Sequence, residues 1–169
     1  MKINRLFNLI AISIRRDGFE RANYIKKKNL FKNVGSNCFW QPRYLPPEGK
    51  LISLHNNVVV AAKVWFIPHD AIHYMIKNIY PQEECGMFMD AIEVGSNVFI
   101  GSNTTILAGT KIGDNVIIGA GSLVKGHISG GGVYAGVPAK KIGNFWEFCD
   151  NRRSYHRHSF EAIWKDFNL

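Results

Sequence analysis

The chain has 169 residues, 46% of them hydrophobic, enough to bury one sizeable core and short of the length that asks for a second domain. Lysine and arginine number 21 against 13 acidic residues, a net charge of +8, which favours anionic partners such as phosphates, acidic polysaccharides or a membrane surface. The three cysteines, Cys38, Cys85 and Cys149, are odd in number and form no CxxC pair, which excludes a disulfide framework and zinc-finger spacing and reads as free thiols in a reducing compartment.

The N-terminal segment 1–33 mixes apolar and basic groups at helical spacing (Phe19, Ala22, Tyr24, Ile25, Leu30), with Asp17-Gly18 as a break between two short helices. The apolar run Leu6 to Ile14, between Arg5 and Arg15, is too short to cross a bilayer core of about 30 Å as a helix. Arg15-Arg16-Asp17 stands where a secretory signal would carry a small-residue cleavage site. The run is therefore expected to be a packed amphipathic helix or a membrane-surface helix giving peripheral membrane contact, and the protein is expected in the cytoplasm. Basic residues gather in the two ends of the chain, Arg15, Arg16, Lys26, Lys27 and Lys28 in one and Arg152, Arg153 and Arg157 in the other, without a nucleic-acid-binding motif. Nucleic acid is not an expected partner.

A first six-residue block, Val34-Gly35-Ser36-Asn37-Cys38-Phe39, is interrupted by Pro42, Pro46 and Pro47. Leu54, Val60 and Phe66 then recur at a spacing of six, with Val58 and Val64 two places before the second and third. In the block Phe66 to Ala71, His69 and Asp70 fall where the chain should turn a corner, and the pattern lapses over residues 72–93. That segment reads as a loop thrown out of the repeat, of a length usually tied to function. From Val94 the period returns: Val94, Ile100, Ile106, Ile112, Ile118 and Val124 open six blocks, glycine follows in four of them, and the fifth position is always small or β-branched (Val98, Thr104, Thr110, Val116, Ser122, Ile128). A period of six fits neither one strand nor one helix. It fits a very short strand and a turn, repeated, so that the opening aliphatics stack into one continuous core. The chain is thus read as a parallel β-helix over 34–143, closed at its start by a helical cap (1–33) and followed by a helical tail (144–169) whose aromatics, Phe145, Trp146, Phe148, Phe160 and Trp164, are spaced for a helical face that packs on the last coil or on a neighbouring subunit.

The six in-phase blocks and the segment Val133-Tyr134-Ala135-Gly136-Val137-Pro138-Ala139-Lys140-Lys141-Ile142 closely resemble the hexapeptide-repeat acyltransferases, in particular their sugar O-acetyltransferase branch. The resemblance implies an all-β fold, a left-handed parallel β-helix, in a single acyltransferase domain. It also implies acetyl-CoA as cosubstrate with no metal, a sugar or polysaccharide-precursor acceptor, and a homotrimer. An amino-sugar N-acetyltransferase is the alternative within the class. Outside it stand a γ-type carbonic anhydrase, for which His55, His69 and His73 would have to gather on zinc, and a non-catalytic scaffold.

By the same resemblance, Pro68-His69-Asp70-Ala71-Ile72-His73 is similar to a THDxxH-like segment that carries the catalytic histidine, with Pro68 in place of a small polar residue. Acyl transfer to a hydroxyl needs a base for the leaving proton, and imidazole suits that task. His69 is the expected base. Asp70 either orients the ring or caps the turn, and His73 is a weaker catalytic candidate that would share a face with His69 on a helix. Cys85, flanked by acids at Glu83 and Glu84, is not expected to act as a nucleophile. The family's contact positions fall here on Phe99 and Ser102 for the pantetheine groove and on Ala120 for room beside it. Lys125, Lys140 and Lys141 are the expected phosphate or adenine contacts, although Lys125-Gly126 departs from the Thr-Lys common among relatives.

Overall fold

The structure is a computed structural model that describes residues 2–153. In chain order it has α1 (Lys2–Ile14), α2 (Gly18–Lys27), β1 (Asn33–Val34), β2 (Phe39–Trp40), β3 (Ile52–Leu54), β4 (Val58–Val60), β5 (Trp65–Ile67), α3 (Ile72–Ile79), β6 (Ile92–Val94) and β7 (Val98–Ile100). There follow β8 (Thr105–Leu107), β9 (Lys111–Ile112), β10 (Val116–Ile118), β11 (Leu123–Val124), β12 (His127–Ile128), β13 (Gly132–Ala135), β14 (Lys140–Asn144) and α4 (Phe145–Arg153).

Strands β1, β3, β6, β9 and β12 form one face, β2, β4, β7, β10, β13 and β14 the second, and β5, β8 and β11 the third. Successive strands along the chain visit the three faces in turn and pair in parallel with the coil below, the arrangement of a left-handed β-helix. Val94 lies opposite Ile112, so a regular coil takes three blocks of six, one for each face. All six block-opening aliphatics from Val94 to Val124, and all six fifth-position residues, are buried. A strand such as Val98-Phe99-Ile100 therefore sends its first and third side chains inward and its second outward. The buried hydroxyls are paired: Thr104 donates to the Gly119 carbonyl at 3.2 Å, Thr110 to Leu107 at 2.6 Å and Ser122 to Gly119 at 2.7 Å, which removes the penalty of polar atoms in the core.

The corners turn through left-handed backbone. Between the first and second faces this falls to Asn37, Asn57, Asn97 and Asn115, all with φ between 56° and 58°, a region that asparagine tolerates better than most residues. Their amides form a ladder, Asn57 donating to Asn97 and Asn97 to Asn115, each at 2.9 Å.

Two departures from the period position the site. Leu54 lies opposite Val94, where an unbroken period would have brought Ile72, so this coil carries the insertion, which follows β5. The expected loop over 72–93 is in part a helix, α3, and the repeat resumes at Ile92, not at Val94. In the first coil, the proline segment supplies no strand to pair with β5 on the third face. Tyr44 fills the gap: its hydroxyl donates to the Val64 carbonyl at 2.7 Å and accepts from the Phe66 amide at 3.0 Å. Burial pushes its phenol up to about 12.

The expected helical cap is present, and Asp17 breaks it in two by accepting from the Glu20 amide at 2.9 Å as the N-cap of α2. Buried Ala22 and Ile25, with Phe31, Trp40 and Phe66 in ring contact through Trp40, close the first coil. Helix α1 buries Ile12 but exposes Leu6, Phe7, Ile10 and Ile14. No helix among the described residues is long and apolar enough to cross a membrane. At the other end β14 returns antiparallel to β13. Over α4 the tail's aromatics are not packed on the last coil: no residue is buried within the chain and Trp146 is 60% exposed, and the helix meets mainly β13 and β14, at the rim of the coil. Phe160 and Trp164 lie outside the described residues.

Candidate active site

The insertion leaves and rejoins the coil at the corner between the third and first faces. His69 sits at its base, held by an antiparallel bridge to Met89, while the amide of Asp70 donates to the Phe88 carbonyl at 3.2 Å and that of Asp90 to Pro68 at 2.9 Å. Pro68 thus contributes its carbonyl to closing the loop, and its missing N–H is not needed there. The His69 ring meets a residue that sequence reasoning missed: Nδ1 lies 2.8 Å from Glu48 Oε2, with side-chain exposures of 31% and 27%. A carboxylate at Nδ1 accepts the N–H there, which leaves Nε2 as the lone-pair nitrogen. Glu48 ends the proline segment, immediately before the single helical turn Gly49–Leu51. Its only signal in the sequence was an acidic residue in the stretch that breaks the period.

Asp70 serves the turn. Its Oδ1 accepts from the Ile72 amide at 3.1 Å, just before α3; of the two expected roles the geometry supplies the cap, and the orienting carboxylate comes from Glu48. His73 does not share a helical face with His69, because α3 begins only at Ile72. It is buried, 4.1 Å from the Tyr74 ring between centroids, and its Nδ1 has no hydrogen-bond partner among the described residues. His55 is exposed and pairs with Glu93 at 3.1 Å. Among the described residues no three ligand-type side chains gather, so His55, His69 and His73 do not form a metal set within the chain.

The six cofactor-site candidates divide between two edges of the prism. Lys125 follows β11 at the same corner as His69, two coils further along. Phe99 points outward from the second face and is half-exposed, and Ser102 and Ala120 occupy the next corner on successive coils, where Gly101 packs against the Ala120 backbone. Lys140 and Lys141, both exposed, lie on β14 at the end of that second face. One chain by itself therefore does not bring Phe99, Ser102, Ala120, Lys140 and Lys141 to His69.

The described residues thus form a prism of six-residue repeats, a hexapeptide β-helix, with a histidine–carboxylate pair at the root of its large insertion. Residues 91–126 match the family model described as bacterial transferase hexapeptide, six repeats. The galactoside O-acetyltransferase of Escherichia coli K12 is 38% identical over 112 residues, which are 65% of this chain and 52% of that protein. WbbJ of the same strain, named for O-acetyl transfer in lipopolysaccharide biosynthesis, is 35% identical over 54% of this chain and 49% of its own length. The chain thus spans about half the length of these relatives. Among solved structures, a galactoside acetyltransferase in complex with coenzyme A superposes with a TM-score of 0.59 at 24% identity, covering 94% of this chain and 86% of the other. A maltose O-acetyltransferase from Clostridium difficile 630 gives the same TM-score at 22% identity, covering 84% of each chain. These likenesses establish the fold.

Proposed function

We propose that this chain is an acetyl-CoA-dependent O-acetyltransferase that modifies a hydroxyl of a sugar or polysaccharide precursor, with His69 as general base. The observation that carries the reading is the 2.8 Å bond between His69 Nδ1 and Glu48. It orients the ring, leaves Nε2 free for the acceptor hydroxyl, and stabilises the imidazolium that forms. The acceptor oxygen attacks the thioester carbonyl as Nε2 takes its proton; the carbon–sulfur bond breaks and the proton passes to the departing thiolate. No covalent enzyme intermediate is required, because the thioester is already activated. The named activities of the two Escherichia coli relatives support the O-acetyl class and the saccharide acceptor.

The separation of the candidate residues supports a homotrimer. Packing the second face of one subunit beside the His69 corner of another would unite Phe99, Ser102, Ala120 and the Lys140-Lys141 pair with the base, making coenzyme A an inter-subunit ligand. The test is thiol release from acetyl-CoA with galactoside and glucosamine acceptors, together with sedimentation. His69→Ala is expected to lower turnover roughly 10²–10⁴-fold with little change in coenzyme A affinity, while His73→Ala acts through folding alone. Near-normal transfer by folded His69→Ala removes the mechanism, preference for the amine of glucosamine makes the enzyme an N-acetyltransferase, and an active monomer removes the shared site.

A further inference from the structure

A second concave site lies where the α1–α2 junction meets the first coil. It is a cavity of about 470 Å³ lined by Arg16, Arg21, Arg43 and Lys63, with Asp17 as the only acidic lining residue among the described residues. Arg21 is 4% exposed, and its Nε and Nη1 donate to the carbonyls of Trp40 and Arg15, both at 2.8 Å. Among the described residues no carboxylate lies within ion-pair distance of any of these four cations. Asp17 is occupied in capping α2, and the nearby Glu20 carboxylate accepts from the Arg16 backbone amide at 3.0 Å. Burial first, and then the neighbouring Arg43 guanidinium, hold Arg21 below the usual arginine range. Four cations around one cavity against a single lining carboxylate leave an excess of positive charge, which is stabilised by an anion that offers several acceptor oxygens, for which guanidinium groups are well shaped.

The cavity is tied to the candidate base by the chain itself. Lys63 is the left-handed corner residue, φ 57°, that leads into β5, and His69 is at the far end of the same face. Along this face Trp65 and Ile67 point outward. Trp65 is 50% exposed and braced by Tyr44, whose ring centroid is 4.4 Å away. An aromatic plane held this way is a platform for the apolar face of a sugar ring. At about 3.3 Å per residue, Lys63 and His69 are at most about 20 Å apart, within the span of a short oligosaccharide. The proline segment runs in parallel, with Arg43 at the cavity and Glu48 at His69.

Resting on the O-acetyltransferase reading above, we propose that the acceptor is an anionic saccharide: its carboxylate or phosphate is held by Arg43, Lys63 and the buried Arg21, a sugar ring lies on Trp65, and the hydroxyl to be acetylated reaches His69. The experiment compares acetyl transfer to tri-galacturonate, UDP-galactose and neutral galactotriose by the wild type, Arg43→Gln and Lys63→Asn, the last chosen because asparagine suits the left-handed corner. Binding of tri-galacturonate and UDP-galactose is measured separately by calorimetry, which needs no turnover. A lower KM for either charged acceptor than for galactotriose, rising about five- to tenfold in each variant, supports the proposal, and the better of the two identifies the anion as carboxylate or diphosphate. Equal KM values for all three, or a charge preference that both variants retain, overturn it. If no acceptor is acetylated, the activity reading fails by itself: charged-ligand binding that the variants weaken still supports the anionic site, and absence of binding removes it.

Discussion

Replacing Glu48 by glutamine tests whether charge at His69 Nδ1 matters to turnover. Glutamine keeps the shape and an acceptor oxygen, so the ring can hold its orientation; what is lost is the negative charge facing the imidazolium. Both side chains are close to a third exposed, so water screens part of the interaction. A hydrogen bond to a charged group contributes about 1.5–3 kcal/mol and a neutral one about 0.5–1.5 kcal/mol, and screening favours the lower end of the difference, about 1 kcal/mol. At about 1.4 kcal/mol per tenfold in rate, kcat should fall roughly five- to tenfold. Glu48→Ala, which leaves Nδ1 without its partner, should fall further. KM for acetyl-CoA should stay constant in both, because none of the proposed thioester-binding residues lies on the proline segment. The assay is steady-state thiol release beside a thermal melt. An unchanged kcat in Glu48→Gln refutes the reasoning, as does a loss of activity that only follows a fall in Tm, since Glu48 would then merely tie the proline segment to the insertion.

Tyr44→Phe leaves the Val64 carbonyl and Phe66 amide without their partner and should cost about 1–3 kcal/mol at neutral pH, read by denaturant unfolding. The tyrosine's folded pKa, about 12, lies above its ordinary value of 10.0. Its contribution is thus complete below pH 10 and is lost as pH rises through about 12, so the wild type should lose its advantage over Tyr44→Phe across that window; parallel stability curves would contradict this. Asp70→Asn should retain near-normal turnover, since the amide oxygen can still accept from the Ile72 amide, whereas Asp70→Ala, which loses that bond, should cost about 0.5–1.5 kcal/mol of stability. A large loss of kcat in stable Asp70→Asn would return this residue to the catalytic group. The Lys140→Ala, Lys141→Ala double variant should weaken coenzyme A binding about tenfold or more with little effect on kcat; calorimetry showing unchanged affinity would place the phosphates elsewhere.

The sequence by itself determined the coil. Period six is a local rule applied in linear order, so Val94 to Ile128 could be sorted into inward and outward residues by counting, and the buried positions follow that count through Ser122 and Ile128. Asp17 was legible as a break for the same reason, because capping joins neighbours in the chain. His69 stood out as a titratable residue at the point where the count fails. Its partner did not, because Glu48 lies far earlier in the chain and both stand in segments that leave the period. Where the insertion starts its helix, which carboxylate Asp70 yields to, and how far Lys125 stands from Phe99 depend on how off-period segments fold back over a prism of stacked coils. Only packing in three dimensions decides that, since spacing along the chain specifies the position of a residue on a coil and says nothing of the path of the chain once it has left one.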